Sequence, residues 1–187
     1  LKVIGTTAYV ADSNSGLQVI DVSTPASPQI IGSVNTPGYA WGVTVVGTMA
    51  YVVNDANYED TGLKMIDTSN PANPQIIGSV NTPGSAYGVT VVGNKAYVTD
   101  FYSGLQVIDV SNSSHPQVIG YVKTPGGATD VAVAENKAYV TCGDGGLQVI
   151  DVLDTDGEAD GRLGDPGLFP FLVTQIRREV ELDGGNQ

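Results

Sequence analysis

Few side chains in this chain could make or break a covalent bond. There is one histidine, His115, and one cysteine, Cys142. A serine or cysteine nucleophile needs a base to take its proton and a third group to orient that base. A lone histidine supports neither a Ser-His-Asp or Cys-His arrangement nor a histidine-built zinc site. His115 stands before Pro-Gln where Ser27 and Asn73 stand elsewhere, which reads as a turn position. Cys142 aligns with Asp12, Asn54 and Asp100 and reads as a small loop residue, and one cysteine excludes an internal disulfide. Carboxylates are the remaining chemistry. Glu59, Asp60, Asp130 and Asp144 would act as acid and base on a glycosidic bond if they met across one opening. Loop carboxylates are otherwise simply solvated, so the expectation is a non-enzyme, with a carboxylate-dependent glycoside hydrolase as an alternative.

A second acidic group lies near the C-terminus. Asp154, Asp156, Glu158, Asp160 and Asp165 occupy positions 1, 3, 5, 7 and 12 of a twelve-residue stretch. Calcium loops use oxygen ligands at such alternate spacing with a closing carboxylate. Position six is Ala159 rather than the glycine an EF-hand requires, and the closing residue is Asp. The stretch is closer to the Asp-x-Asp-Gly loops of secreted bacterial proteins. It reads either as a calcium site or as a flexible acidic linker.

The elements that would position these residues are repeated. A Gly-Leu-x-x-Ile-Asp block recurs at Gly16, Gly62, Gly104 and Gly146, at spacings of 46, 42 and 42 residues, with an Ala-Tyr-Val triplet in step at Ala8, Ala50, Ala96 and Ala138. A period of this size marks units that bury their apolar faces against their neighbours. Within the third unit, β-branched alternating runs lie at residues 88–92, 95–99, 105–110 and 116–123. Turn residues separate them. Four short strands per unit predict an all-β chain, a β-propeller of four-stranded blades of about 42 residues. Units fall at about 1–36, 40–82, 86–124 and 128–152, followed by an acidic tail over 153–187.

Gly-Leu-Gln-Val-Ile-Asp-Val, Ala-Tyr-Val and Pro-x-x-Pro-Gln-Ile-Ile-Gly, in fixed order over residues 1–152, resemble the LVIVD-repeat proteins. That resemblance implies a β-propeller on a bacterial or archaeal cell surface, and so an extracytoplasmic location. It implies no shared catalytic residue, and a propeller fold alone does not define a function.

Charge narrows the partners. The net charge of −12 opposes nucleic acid and anionic membrane surfaces. No apolar run is long enough for a membrane-spanning helix, so membrane insertion is not expected. Leu1–Gly5 aligns with Val43–Gly47, placing the chain's start partway through an innermost strand. The fourth unit lacks its own Pro-Gln-Ile-Ile-Gly strand. Either Leu168–Ile176 supplies that strand and four blades close, or the chain is part of a larger ring, which a second copy could complete as a dimer. Residues 170–182 fit a helix or a strand equally well.

Repetition also sorts residues. Tyr9, Tyr51, Tyr97 and Tyr139, and Asp21, Asp67, Asp109 and Asp151, recur in every unit and read as scaffold. The aspartates are expected to accept backbone N–H bonds in the following turn. Residues that break the symmetry are the candidate site. The second unit carries a four-residue insertion, which brings Asn57, Tyr58, Glu59 and Asp60 to the face that holds Tyr39, Trp41, Tyr87, Phe101, Tyr102 and Asp130. Aromatics interleaved with carboxylates and amides suit a glycan or a protein partner; alternatively, Trp41 and Tyr87 plug the channel mouth. The expected function is a binding module for a protein or glycan, with a purely structural spacer as the alternative.

Overall fold

The computed structural model describes residues 1–56 and 60–152, together with the backbone of 176–177. Alternating β-branched segments separated by glycine turns become antiparallel strands, and each strand pairs with the next in sequence. The first sheet contains β1 (Lys2–Ile4), β2 (Thr7–Ala11), β3 (Leu17–Asp21) and β4 (Gln29–Val34). The second contains β5 (Tyr39–Val46), β6 (Met49–Asp55), β7 (Gly62–Asp67) and β8 (Gln75–Asn81). The third contains β9 (Ala86–Val92), β10 (Lys95–Asp100), β11 (Gly104–Asp109) and β12 (Gln117–Val122). The fourth contains β13 (Ala128–Ala134), β14 (Lys137–Cys142), β15 (Leu147–Asp151) and the short β16 (Ile176–Arg177).

These are propeller blades, and they stand as an open arc. β16 pairs with Val149 and Ile150, so the segment after the repeats supplies the outer strand of the fourth blade. At Ile176–Arg177 the strand reading therefore applies.

The core lies between blades. Tyr9, Leu17 and Val19 of the first blade pack with Val43, Val45, Val52 and Ile66 of the second. Tyr51, Leu63 and Met65 then pack with Val89, Val98 and Ile108 of the third. Tyr97, Leu105 and Val107 repeat the pattern against Val131, Val140 and Ile150 of the fourth. Burying a leucine or valine this fully is worth about 1.5–3 kcal/mol. The recurring tyrosine and leucine are thus the contacts by which each blade holds the next.

Two other recurring residues have local work. The block glycine takes a positive φ, +83° at Gly104, and a Cβ there would stand 2.2 Å from the Val122 carbonyl oxygen. Only glycine satisfies both demands. The block aspartate behaves as its spacing predicts in three blades. Asp21, Asp67 and Asp109 accept the N–H of Ser23, Ser69 and Ser111 at 2.8, 2.8 and 2.9 Å. Those backbone bonds, with the serine hydroxyls, hold the Asp21 and Asp67 carboxyls below their usual range. Asp151 has no serine after it and instead accepts from Lys137 Nζ at 2.5 Å.

Candidate functional site

The innermost strands of blades two, three and four begin with a bulge. Ala40 pairs with Asn54 and Gly42 with Val53, leaving Trp41 as the extra residue. Ala86 and Gly88 pair with Asp100 and Thr99 and leave out Tyr87, while Ala128 and Asp130 pair with Cys142 and Thr141 and leave out Thr129. A bulge re-aims one side chain without ending the strand. The residues expected in loops at Trp41 and Tyr87 therefore belong to β5 and β9. Their rings are directed by strand geometry.

The bulges align the aromatics in a row. Ring centroids run from Tyr39 to Trp41 at 6.3 Å, Trp41 to Tyr87 at 5.3 Å, Tyr87 to Phe101 at 5.6 Å and Phe101 to Tyr102 at 5.1 Å. The tilted and edge-on orientations suit the ring quadrupoles. Trp41 keeps 49% of its surface exposed and Tyr102 61%, so the row presents ring surface outward. Five of the six aromatics named from sequence form one continuous strip; the sixth, Tyr58, lies outside the described residues.

Two hollows adjoin it. Trp41 and Tyr87 border a cleft of about 410 Å³ between the innermost strands, whose wall includes Leu1, Thr129 and Asp130. Asp130 takes the place of Gly42 and Gly88, and its Oδ1 accepts the N–H of Val131 at 2.9 Å. At the Tyr102 end, that ring borders a groove of about 290 Å³ with Pro83, Gln106, Tyr121 and Lys123. Asp130 thus sits beside the middle of the strip and Lys123 at its Tyr102 end.

Below the strip the loops are tied down. Asp100, wholly buried, accepts from the Gly84 N–H at 2.6 Å and from Tyr102 and Ser103 at 3.2 and 3.0 Å. That fixes the backbone carrying Phe101 and Tyr102. Asn54 fills the same role in the second blade by donating to the Asp60 carbonyl at 2.8 Å and to Pro37. Cys142 occupies this position in the fourth blade. It is buried, and burial pushes its thiol up against a smaller opposing contact from Thr124, leaving it a structural residue rather than an activated nucleophile.

Asp60 has a different setting from the open carboxylate expected. It pairs with Lys64, whose side chain is 2% exposed. Elsewhere a glutamine holds that position, and Gln18, Gln106 and Gln148 donate to loop carbonyls at 2.9, 3.2 and 2.6 Å. Lys64 was not among the residues singled out from sequence. Its signal is the one Lys among four Gly-Leu-x positions, in the same unit as the loop insertion. Asp144 is exposed in the single turn Gly143–Gly145. Asn57, Tyr58 and Glu59, and the acidic stretch of Asp154, Asp156, Glu158, Asp160 and Asp165, lie outside the described residues. Among the described residues no group of three or more acidic, histidine or cysteine side chains could hold a metal ion.

The repeat and the geometry meet in the comparisons. A model of the LVIVD repeat matches four times, over residues 1–36, 37–82, 83–124 and 125–155. The chain belongs to the LVIVD-repeat family. A comparison with curated proteins finds no relative. The fold of this LVIVD-repeat chain is similar to the crystal structure of the computationally designed Ika4 protein, with a TM-score of 0.64 and 11% identity, over 80% of this chain and 88% of that one. It is also similar to the computationally designed Ika8 protein, with a TM-score of 0.64 and 12% identity, over 81% of this chain and 44% of that one. The LVIVD-repeat arc therefore spans less than half of the Ika8 chain. At these identities the likeness concerns fold alone.

Proposed function

We propose that this LVIVD-repeat chain is a non-enzymatic binding module, acting outside the cytoplasm, that takes a glycan along the strip from Tyr39 to Tyr102. The observation that carries this reading is the continuous row of five partly exposed rings, spaced 5.1–6.3 Å apart, with one hollow beside its middle at Trp41 and Tyr87 and another at its Tyr102 end. Sugar rings offer apolar C–H faces to stack on aromatics and hydroxyls for polar neighbours. Asp130 and Thr129 supply polar groups beside Trp41 and Tyr87, and Ser103, Gln106 and Lys123 at the Tyr102 end. Few, well-placed polar groups around aromatic surface are the usual make-up of a small-ligand site. The extracytoplasmic setting is supported by the family and by the acidic charge, which suits neither nucleic acid nor an anionic membrane.

Trp41 is the chain's only tryptophan, so its fluorescence reports directly on the strip. Titration with a panel of soluble oligosaccharides is expected to give a saturable change with at least one class. Tyr87→Ala should weaken that binding about tenfold, in line with about 1.4 kcal/mol for one stacking contact. A panel that leaves Trp41 emission unchanged, together with an empty glycan array, would overturn the glycan reading.

A further inference from the structure

The outer strands of the first three blades are near copies, yet the third breaks the pattern with two residues of different chemistry. Tyr121 stands where Ser33 and Ser79 stand, and Lys123 where Asn35 and Asn81 stand. A residue absent from the other blades is not required by the blade plan, and neither of these two was singled out from sequence. Both border the cleft between the second and third blades, which holds two adjoining hollows. The first, of about 290 Å³, is bordered by Tyr102, Tyr121 and Lys123. The second, of about 490 Å³, is bordered by Asn81, Val118 and Tyr121, and Pro83 and Gln106 border both. Tyr102 and Tyr121, 61% and 63% exposed, are the most exposed rings among the described residues. Tyr102 is also the last ring of the strip, so the cleft continues it.

The cleft differs from the strip in charge. Lys123 carries the only ionised side chain bordering either hollow, and among the described residues no carboxylate pairs with it. Asp100, beneath Tyr102, has its oxygens turned to the N–H groups of Gly84, Tyr102 and Ser103. An ammonium beside two exposed phenol rings suits a ligand with an apolar ring face and an anionic group. We infer that the glycan bound along the strip carries an anionic sugar, a uronic acid or a sulfated residue, which enters this cleft with its charge on Lys123 and its ring against Tyr121. The inference rests on the glycan reading and names the class of glycan. It is compatible with the acidic chain. A nucleic acid or a membrane meets the whole negative field, whereas one acidic sugar meets a cleft that no carboxylate borders. Exposed charges farther than about 8 Å are largely screened at physiological salt.

Isothermal titration of the 187-residue chain tests this. The probes are neutral oligosaccharides carrying one uronic acid or one sulfate, each paired with its carboxyl-reduced or desulfated counterpart. At least one charged member is expected to bind about fivefold tighter than its neutral partner. Which pair shows the gap tells carboxylate from sulfate. Lys123→Asn and Tyr121→Ser install the residues of the first two blades, so both should keep the parent's far-ultraviolet spectrum. Lys123→Asn should erase the gap and Lys123→Arg should keep it, while Tyr121→Ser should weaken both members about tenfold. Equal binding of charged and neutral members, or a gap that survives Lys123→Asn, would overturn this inference while the glycan reading stands. Polyglutamate binding as tightly as the charged sugars would overturn it in favour of an acidic peptide. If no oligosaccharide binds, both readings fall.

Discussion

At the scale of single residues, repetition separates requirements that one site alone would confound. Gly104 and Gly146 fill the same place in the block and both have positive φ, +83° and +65°. A Cβ on Gly104 meets the Val122 carbonyl at 2.2 Å, whereas one on Gly146 meets nothing within 4 Å among the described residues. Gly146→Ala should therefore cost only backbone strain, about 1–2 kcal/mol. Gly104→Ala should cost at least about 2 kcal/mol more, because backbone must move; urea unfolding of the two variants measures the difference. The glycine and the aspartate turns were legible in sequence because their demands are local. The open side of Gly146 was not, since it depends on how the outer strand approaches.

Between residue and blade, the informative element is the lengthened loop of the second unit. Its insertion is visible as the 46-residue spacing. The Lys64–Asp60 pair beneath it was not inferred, although both residues are symmetry-breaking, because pairing requires knowing that the Lys64 stem runs buried toward the loop. Asp60→Asn leaves a buried ammonium without its carboxylate. Because Asp60 is itself 42% exposed, the cost should fall below that of a fully buried pair, at about 1–2 kcal/mol. Lys64→Gln restores the side chain used by the other three blades and should cost less than half as much in the same denaturation assay. If the two variants were equally destabilised, the pair would have no special part in holding the loop. The bulges were equally hidden. Trp41-Gly42-Val43 continues the alternation of β5 without a break, and only the register against β6 exposes the extra residue.

For the whole molecule, stability is a sum over junctions, as in any array whose units touch only their neighbours. Tyr97 bridges the third and fourth blades, whereas Tyr139 packs against no further blade among the described residues. Tyr97→Ala should cost about 3–4 kcal/mol of unfolding free energy. Tyr139→Ala, at a side chain already 36% exposed, should cost less than about 1 kcal/mol. Urea unfolding of the two variants distinguishes these outcomes. The blade plan was legible from the period alone. Openness of the four described blades was not, because the same repeat builds rings of different size.

The bulge at the head of β5, β9 and β13 separates an outward-facing position from the strand pairing: Trp41, Tyr87 and Thr129 stand outside the ladder. On the proposed glycan reading, these three positions, one in each of blades two to four, would change identity while the backbone ladder stays as it is, with Thr141 changing alongside Thr129, whose hydroxyl it meets at 2.9 Å. Such a frame would work like a lock barrel with exchangeable pins: duplicated blades diverge at one residue each, and the surface they share acquires a new preference without a new fold.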